Sequence, residues 1–279
     1  MKQGHKMNFT EKQIQQIIIW YNEGKMSTWI GKQFGCSHTP ITRCLKDHNV
    51  QVRTCKESWT LALKPCDRTF FNQIDTEEKA YWLGFLYADG NVTDNSQPSL
   101  QLCLARRDED HLLRFTKALK SEYAIVYNKR ERSTQCRTRI PSKELVDALT
   151  RQGCIPRKTF LIKPPTEEQV PSHLVRHFVR GYFDGDGCFY DGIAILLGTS
   201  ELMNWIKDIV PVEHNTNVTK GKDKNIYRFN LGMKRPERLV KFYNWLYEDA
   251  TVWLPRKREK MLAFLCSRIS SDSTLIIAQ

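Results

Sequence analysis

The sequence carries one glycine–aspartate pattern twice, and this duplication constrains the possible fold more than any other feature. Each copy ends a helix-like segment and has the order glycine, three residues, a small residue, aspartate and glycine. The first copy comprises Gly84, Ala88, Asp89 and Gly90, and the second comprises Gly181, Gly185, Asp186 and Gly187. Small residues four positions apart form a flat stripe on a helix, so that a second helix can approach closely. We therefore predict two packed helices that bring Asp89 and Asp186 together, each followed by a glycine that can adopt a positive φ.

A wider repeat surrounds the two motifs. After each motif, the hydrophobic pattern predicts two strands, a helix, two further strands and a second helix. A hydrophobic-Pro-Arg-Lys run follows in each half, at residues 154–159 and 253–258. The order α-β-β-α-β-β-α thus occurs twice, as expected of a tandem duplication that builds one pseudo-twofold domain. The predicted fold class is α+β.

The first fifty residues contain three short amphipathic patterns, at residues 9–22, residues 27–34 and from Ser37 to Lys46. Thr10 can cap the first helix, and Gly24 and Gly35 end the first two. The predicted buried positions are Ile14, Ile17, Ile18, Tyr21, Trp29, Ile30, Phe34, Ile41 and Leu45. Three such helices with a glycine turn between the last two indicate a helix-turn-helix domain.

This segment resembles the helix-turn-helix of resolvases and transposases. The resemblance implies that the third helix enters the major groove of DNA. Its outward residues are His38, Thr39, Thr42, Arg43 and Lys46, which suit base edges or phosphates. The alternative is a small helical packing module with a polar face.

The composition agrees with a nucleic-acid partner. Lys and Arg total 43 against 31 Asp and Glu, a formal charge of +12, and residues 1–56 hold nine basic and three acidic residues. A folded protein this basic most often meets nucleic acid. No apolar run is long enough for a membrane span, and the N-terminus does not read as a signal peptide. Nine cysteines without a CxxC pair favour a reduced compartment, so we expect an intracellular protein, cytoplasmic or organellar, and not a secreted one.

Residues 79–268 resemble the LAGLIDADG homing endonuclease family in its single-chain, two-repeat form, on the motifs "WLGFLYADG" and "VRGYFDGDG". The resemblance implies a monomer whose two saddle-shaped antiparallel sheets straddle double-stranded DNA. It also implies a Mg²⁺-dependent endonuclease that hydrolyses phosphodiester bonds on both strands of a long site and leaves 3′ overhangs. We predict a helix-turn-helix domain at 1–53, a linker at 54–78, the first repeat at 79–170, and the second repeat with a short C-terminal tail at 171–279.

The family's essential acids correspond here to Asp89 and Asp186, which would hold two or three Mg²⁺ ions between them, and the predicted metal-site residues are these two acids with Gly90 and Gly187. Two close carboxylates repel each other, and hard divalent cations relieve that repulsion. Family members also carry a basic residue near each scissile phosphate, and Lys158 and Lys257 are our candidates because they occupy matching places in the two repeats. Phosphate contact or plain surface charge is the alternative for both lysines. We interpret Asp184 as structural.

Strand alternation predicts which side chains face the DNA. In the first repeat these are Gln101, Gln135, Arg137 and Arg139, and in the second they are Arg228 and Asn230. Tyr227, Phe229 and Leu231 alternate with the last two and are predicted to be buried. Arg suits guanine, and Asn and Gln suit adenine.

Two other functions are compatible with the same resemblance. One is a transcription regulator that has kept the fold and lost the chemistry, and the other is an RNA maturase. Both acids are present, which favours the nuclease over the regulator, and the DNA-type helix-turn-helix argues against the maturase.

Overall fold

The computed structural model describes residues 7–130, 133–214, 216–221, 225–232 and 236–269. The chain divides into two compact units, Met1–Lys64 and Pro65–Gln279. Within the described residues, no helix is both long enough and apolar enough to cross a membrane.

The first unit is helical. Its helices are α1 (Glu11–Asn22), α2 (Ser27–Gln33), α3 (His38–Asp47) and α4 (Cys55–Leu61). The backbone N–H of Thr10 donates to Gln13 Oε1 at 2.9 Å, a reciprocal cap that starts α1. The core is formed by fully buried apolar residues of the first three helices: Ile17, Ile30, Ile41 and Leu45.

The first unit differs from the sequence predictions in the burial of four residues and in one helix. Ile14, Ile18 and Phe34 are half-buried, although they were predicted to be buried. Trp29 is not buried but 39% exposed, because it packs edge-on against Trp20 at the surface with the ammonium of Lys25 over its ring. The short helix α4 lies within the segment 54–78 that was predicted to be a linker. Its start is fixed locally, since the carboxylate of Glu57 accepts hydrogen bonds from both the backbone N–H and the hydroxyl of Thr54.

The second unit confirms the predicted α+β fold of two tandem repeats. The first repeat consists of α5 (Glu77–Asp89), β1 (Gly90–Thr93), β2 (Ser99–Ala105), α6 (Glu109–Ala118), β3 (Val126–Arg130), β4 (Ser133–Pro141) and α7 (Lys143–Arg151). The second consists of α8 (Val175–Asp186), β5 (Cys188–Tyr190), β6 (Ile193–Gly198), α9 (Ser200–Ile209), β7 (Thr219–Lys220), β8 (Tyr227–Gly232), α10 (Pro236–Tyr247) and α11 (Pro255–Ile269).

Each repeat forms its own four-stranded antiparallel sheet, and the two sheets share one topology. The strand orders are β1-β2-β4-β3 and β5-β6-β8-β7. In each sheet one face covers apolar side chains and the other carries the exposed positions, the usual arrangement of antiparallel sheets. The described part of β7 is shorter than the predicted strand at 215–220, of which Asn215 lies outside the described residues.

The helices α5 and α8 form the centre of the second unit. Every residue of α5 from Ala80 to Tyr87 is buried, so this helix is surrounded by the protein on all sides. The segment before it also contributes to the core, since Phe70, Phe71 and Ile74 are buried there. Helix α11, which the sequence analysis did not predict, covers the second repeat with Met261 and Leu265.

Candidate active site

The two motif helices touch through their small residues. A Cβ added to Gly84 would lie 1.9 Å from the carbonyl oxygen of Phe178, and one added to Gly181 would lie 1.9 Å from that of Tyr81. One turn further along, a Cβ on Gly185 would lie 2.3 Å from the Cβ of Ala88. Backbone therefore packs on backbone at this crossing, and the C-terminal ends of α5 and α8 lie close together.

Asp89 and Asp186 are the last residues of these helices. The prediction that the following glycines can adopt a positive φ is wrong, because φ is −69° at Gly90 and −68° at Gly187. The chain leaves each helix directly into extended backbone. Glycine is required for space instead, since a Cβ would lie 2.6 Å from the Leu86 carbonyl oxygen or 2.4 Å from that of Phe183.

The two acids share an electrostatically coupled site, in which both residues are exposed while the surrounding protein partly desolvates their carboxyl groups. Burial, and then the negative charge of Asp186, raise the pKa of Asp89 to about 6, while Lys257, Lys158 and Arg256 act in the opposite direction. Burial also raises the pKa of Asp186, and Lys158 and Lys257 again oppose the shift. The structure thus brings together all four side chains that the sequence proposed for catalysis.

The two candidate lysines bind the C-terminal ends of the motif helices, where backbone carbonyls lack partners within the helix. Lys158 Nζ donates to the Ala88 carbonyl oxygen at 3.0 Å. Lys257 Nζ donates to three carbonyl oxygens, those of Phe183, Gly185 and Gly187, at 2.8, 2.7 and 2.6 Å. Burial lowers the pKa of Lys257 to about 8, and the charge of Asp184 opposes that shift.

Asp184 lies behind this site and is fully buried. Its carboxylate accepts hydrogen bonds from the hydroxyls of Tyr81 and Tyr247 at 2.9 and 2.8 Å, and from the backbone N–H of Leu254 at 2.7 Å. Three donors occupy this carboxylate, an arrangement that suits the structural interpretation of Asp184. Burial raises its pKa and these hydrogen bonds oppose the shift.

Sequence reasoning missed Arg256. Its Nε donates to both carboxylate oxygens of Asp108, at 2.8 and 3.0 Å, and so joins the second repeat to the first. Its charge also acts on Asp89. The signal was present, because Arg256 stands beside Lys257 in the repeated Pro-Arg-Lys run. Its counterpart Arg157 is exposed, with a φ of 56°, so the repeat alone did not reveal the role.

The predicted metal site has a suitable donor set, although it is small. Among the described residues, no group of three or more His, Cys, Asp and Glu side chains is placed to hold a metal ion. The two carboxylates, of which Asp186 raises the pKa of Asp89, are nevertheless the hard oxygen ligands that Mg²⁺ binds. Of the two glycines predicted beside the metal, Gly187 has its carbonyl oxygen bound by Lys257.

A cavity of about 340 Å³ opens beside the acids. Its lining includes Asp186, Lys158, Tyr182 and Leu197. Both repeats contribute to its lining, Ala88 from the first and Asp186 from the second.

The predicted DNA-facing residues of the first sheet lie on its outer face. Gln101 pairs with Arg139 across β2 and β4, and Arg137 and Gln135 follow on the same face of β4. The alternate residues of β4, among them Cys136 and Ile140, are fully buried.

In the second sheet, Arg228 is exposed and Asn230 is half-buried, while Phe229 and Leu231 are fully buried. Tyr227 is only half-buried, against the expectation that it would be buried. In the first unit, His38, Thr39, Arg43 and Lys46 are exposed on α3. Thr42 is half-buried, and its hydroxyl donates to the Thr39 carbonyl oxygen.

The chain is similar to several solved DNA-bound endonucleases. For the LAGLIDADG homing endonuclease I-LtrWI bound to target DNA, the TM-score is 0.47 at 11% identity, covering 74% of this chain and 92% of that one. For the homing endonuclease I-WcaI bound to its DNA recognition sequence, the TM-score is 0.48 at 14% identity, covering 76% of this chain and 96% of that one. For I-SmaMI bound to uncleaved DNA with calcium ions, the TM-score is 0.47 at 11% identity, covering 72% of this chain and 93% of that one. No family model matches the sequence, and no curated protein matches it.

Proposed function

We propose that this chain is a site-specific DNA endonuclease of the LAGLIDADG homing type, which hydrolyses phosphodiester bonds on both strands and leaves 3′ overhangs. The observation that carries the proposal is the pairing of Asp89 and Asp186 at the touching ends of two equivalent helices, each with a repeat-matched lysine. A pseudo-twofold pair of acids suits a duplex, whose two strands present their phosphates in a twofold arrangement.

The carboxylates of Asp89 and Asp186 would hold two or three Mg²⁺ ions. When bound, Mg²⁺ supplies charge neutralisation at the scissile phosphate and makes water a better nucleophile. The protein's own part is to keep both carboxylates ionised and fixed. Lys158, Lys257 and Arg256 favour the ionised form of Asp89, because their positive charges oppose the effect of burial.

Lys158 and Lys257 differ in what they can offer the phosphate. Lys158 is half-buried, lines the cavity and, among the described residues, donates to one carbonyl, so its other N–H groups can donate to a phosphate oxygen. Lys257 uses three N–H groups on carbonyl oxygens. It therefore acts through its charge and by fixing the end of α8.

The outer faces of the two sheets and helix α3 would bind the DNA. Arg137, Arg139 and Gln101 offer hydrogen bonds to purine edges in the major groove. Helix α3 would extend the footprint beyond the cut site. Replacing Arg43 and Lys46 together by alanine should shorten the footprint and weaken binding, while cleavage at saturating protein stays unchanged.

Plasmid cleavage tests the proposal. The substrate is a plasmid that carries the DNA flanking the gene's own insertion locus, incubated with Mg²⁺ or with EDTA. We expect linear product with 3′ overhangs in Mg²⁺ alone. Asp89→Asn or Asp186→Asn should each lower double-strand cleavage by at least about a hundredfold, because each change removes a charged metal ligand. Asp191→Asn, in an exposed turn close to Asp186 in sequence, is the matched control and should cleave normally.

Binding separates the nuclease from its competitors. Both aspartate variants should retain the wild-type gel shift on the same DNA in Ca²⁺. A wild-type protein that binds tightly and never cuts would indicate the regulator, and a preference for the corresponding RNA would indicate the maturase.

A further inference from the structure

The outer face of strand β6 is apolar although it is exposed. Ile193 and Leu197 are 38% and 41% exposed, and Ile195 is half-buried between them. Their alternates Ala194 and Leu196 are fully buried against the core. The three outer residues, Ile193, Ile195 and Leu197, form what we call the β6 stripe.

The equivalent positions of the first repeat carry different chemistry. Asn91 follows one motif glycine and pairs with Gln101, and Cys188 follows the other and pairs with Ile195. Ile195 is therefore the counterpart of Gln101. By the same registers, Leu197 corresponds to Cys103 and Ile193 to Ser99. At these three positions the first sheet carries a buried serine, a half-buried glutamine and a half-buried cysteine, whereas the second sheet carries three aliphatic residues that are exposed or half-buried.

The surroundings of the β6 stripe indicate what covers it. Leu197 lines the cavity that Asp186 and Lys158 share, so the stripe is continuous with the proposed cleavage site. On the neighbouring strand, Leu197 pairs with the exposed Arg228 and Ile195 pairs with Asn230, whose side-chain oxygen accepts from the Arg228 guanidinium. The cationic groups of Arg228 and Lys158 beside the aliphatic stripe suit an occupant that is anionic and also presents apolar groups.

Duplex DNA has both properties, because the C5-methyl group of thymine projects into the major groove. We propose that the β6 stripe reads thymine methyl groups, so that the half-site on the second sheet is recognised by apolar contact and the half-site on the first sheet by hydrogen bonds. This inference rests on the proposed function and adds to it the base composition of one half-site.

Deoxyuridine substitution tests the inference, because it removes only the methyl group of thymidine. The full chain is first used, in Ca²⁺, to select binding sites from a random 40-base-pair duplex library. In the selected duplex, thymidines are then replaced by deoxyuridine in one half at a time. We expect the affinity to fall about fourfold for each contacted methyl in one half, and to change little in the other.

Two variants assign the effect to the stripe. Ile195→Ala should weaken binding to the thymidine duplex and remove most of the deoxyuridine penalty in the sensitive half. Cys103→Ala, on the same face of the first sheet, is the matched control and should leave the penalty intact.

The outcomes distinguish the inference from the function on which it rests. An enriched site that is indifferent to deoxyuridine in both halves would overturn the inference and keep the DNA-binding function. A library with no enriched sequence would overturn both. A protein that sediments as a dimer, and as a monomer once Ile195→Asp is introduced, would assign the stripe to self-association and overturn the inference.

Discussion

The two repeats of the second unit follow the same path and are supported by different contacts. Tyr87 in the first repeat donates one hydrogen bond, to the Gln152 carbonyl oxygen, whereas Asp184 at the equivalent position accepts three. Lys158 binds one carbonyl, and Lys257 binds three. Asp89 and Asp186 are therefore alike, while the hydrogen bonds of the residues around them differ. A duplicated fold can diverge in these surrounding contacts and still keep the crossing of its two motif helices.

A buried arginine adds to this asymmetry. Arg180 is fully buried and donates to the carbonyl oxygens of Val252 and Leu246 and to the carboxylate of Glu77, at 2.6 Å in the last case. Leu83 occupies the equivalent position in the first repeat. Glu77 begins α5, so this ion pair joins the second repeat to the first. Because Leu83 carries no charge, the first repeat does not provide the matching ion pair, and the two halves are not interchangeable.

The helix crossing is where the repeats should behave identically. Gly84→Val and Gly181→Val each force a side chain into a backbone carbonyl, so each should cost about 4 kcal/mol or more of unfolding free energy, or prevent folding. Soluble yield and urea denaturation measure this. Gly232→Ala, whose added Cβ has no atom within 4 Å, is the control and should fold normally. If one motif glycine tolerates valine, the helix contact is not symmetric.

The position behind the acids is where the repeats should differ most. Asp184→Asn places amide hydrogens against hydroxyl and backbone N–H donors, and should cost about 3 kcal/mol of unfolding free energy. Tyr87→Phe removes a single hydrogen bond and should cost about 1 kcal/mol. Urea denaturation of both variants checks the difference. Equal losses would contradict the view that the second repeat depends more on buried polar contacts.

Removing the lysines should also destabilise the second repeat more than the first, by a smaller difference in unfolding free energy. Lys257→Met removes the ammonium donor from the Gly185 and Gly187 carbonyls, and leaves the Phe183 carbonyl with the backbone N–H of Gly187. It should cost about 2 kcal/mol, while Lys158→Met should cost about 1 kcal/mol or less. Both variants should cleave more slowly on the plasmid substrate. If Lys158→Met proves the more destabilising variant, the number of carbonyl contacts does not determine stability here. Lys163→Met, a change at a lysine outside these contacts, is the control for removing a positive charge.

The sequence was most informative where a local rule is sufficient. Thr10 starts the first helix as predicted, and the repeat order follows from periodicity and turn residues, which act over a few residues. Helix α11 is not predicted by the repeat, because the Pro-Arg-Lys runs at 154–159 and 253–258 are alike in sequence and only the second begins a long helix. In the first repeat that run leads only into the short turn at Lys158–Phe160, so similar sequences adopt different conformations here.

The β6 stripe was missed for a related reason. The run IAILLG is apolar throughout, and a pattern without alternation gives no signal that one of its faces is exposed. At Trp29 the apolar pattern also fails to predict exposure. A large apolar residue at a helical position is expected to be buried, but Trp29 packs against Trp20 at the surface.

By itself, the sequence determined the duplication, the α+β order and the identity of the paired acids, because small residues and aspartates at fixed spacing leave few ways to pack two helices. Only the tertiary structure decided how those acids are held. The contacts of Lys257 with the end of α8, of Arg256 with Asp108 and of Arg180 with Glu77 join residues far apart in the chain. Such contacts depend on where the folded backbone places each side chain, and no local pattern encodes that.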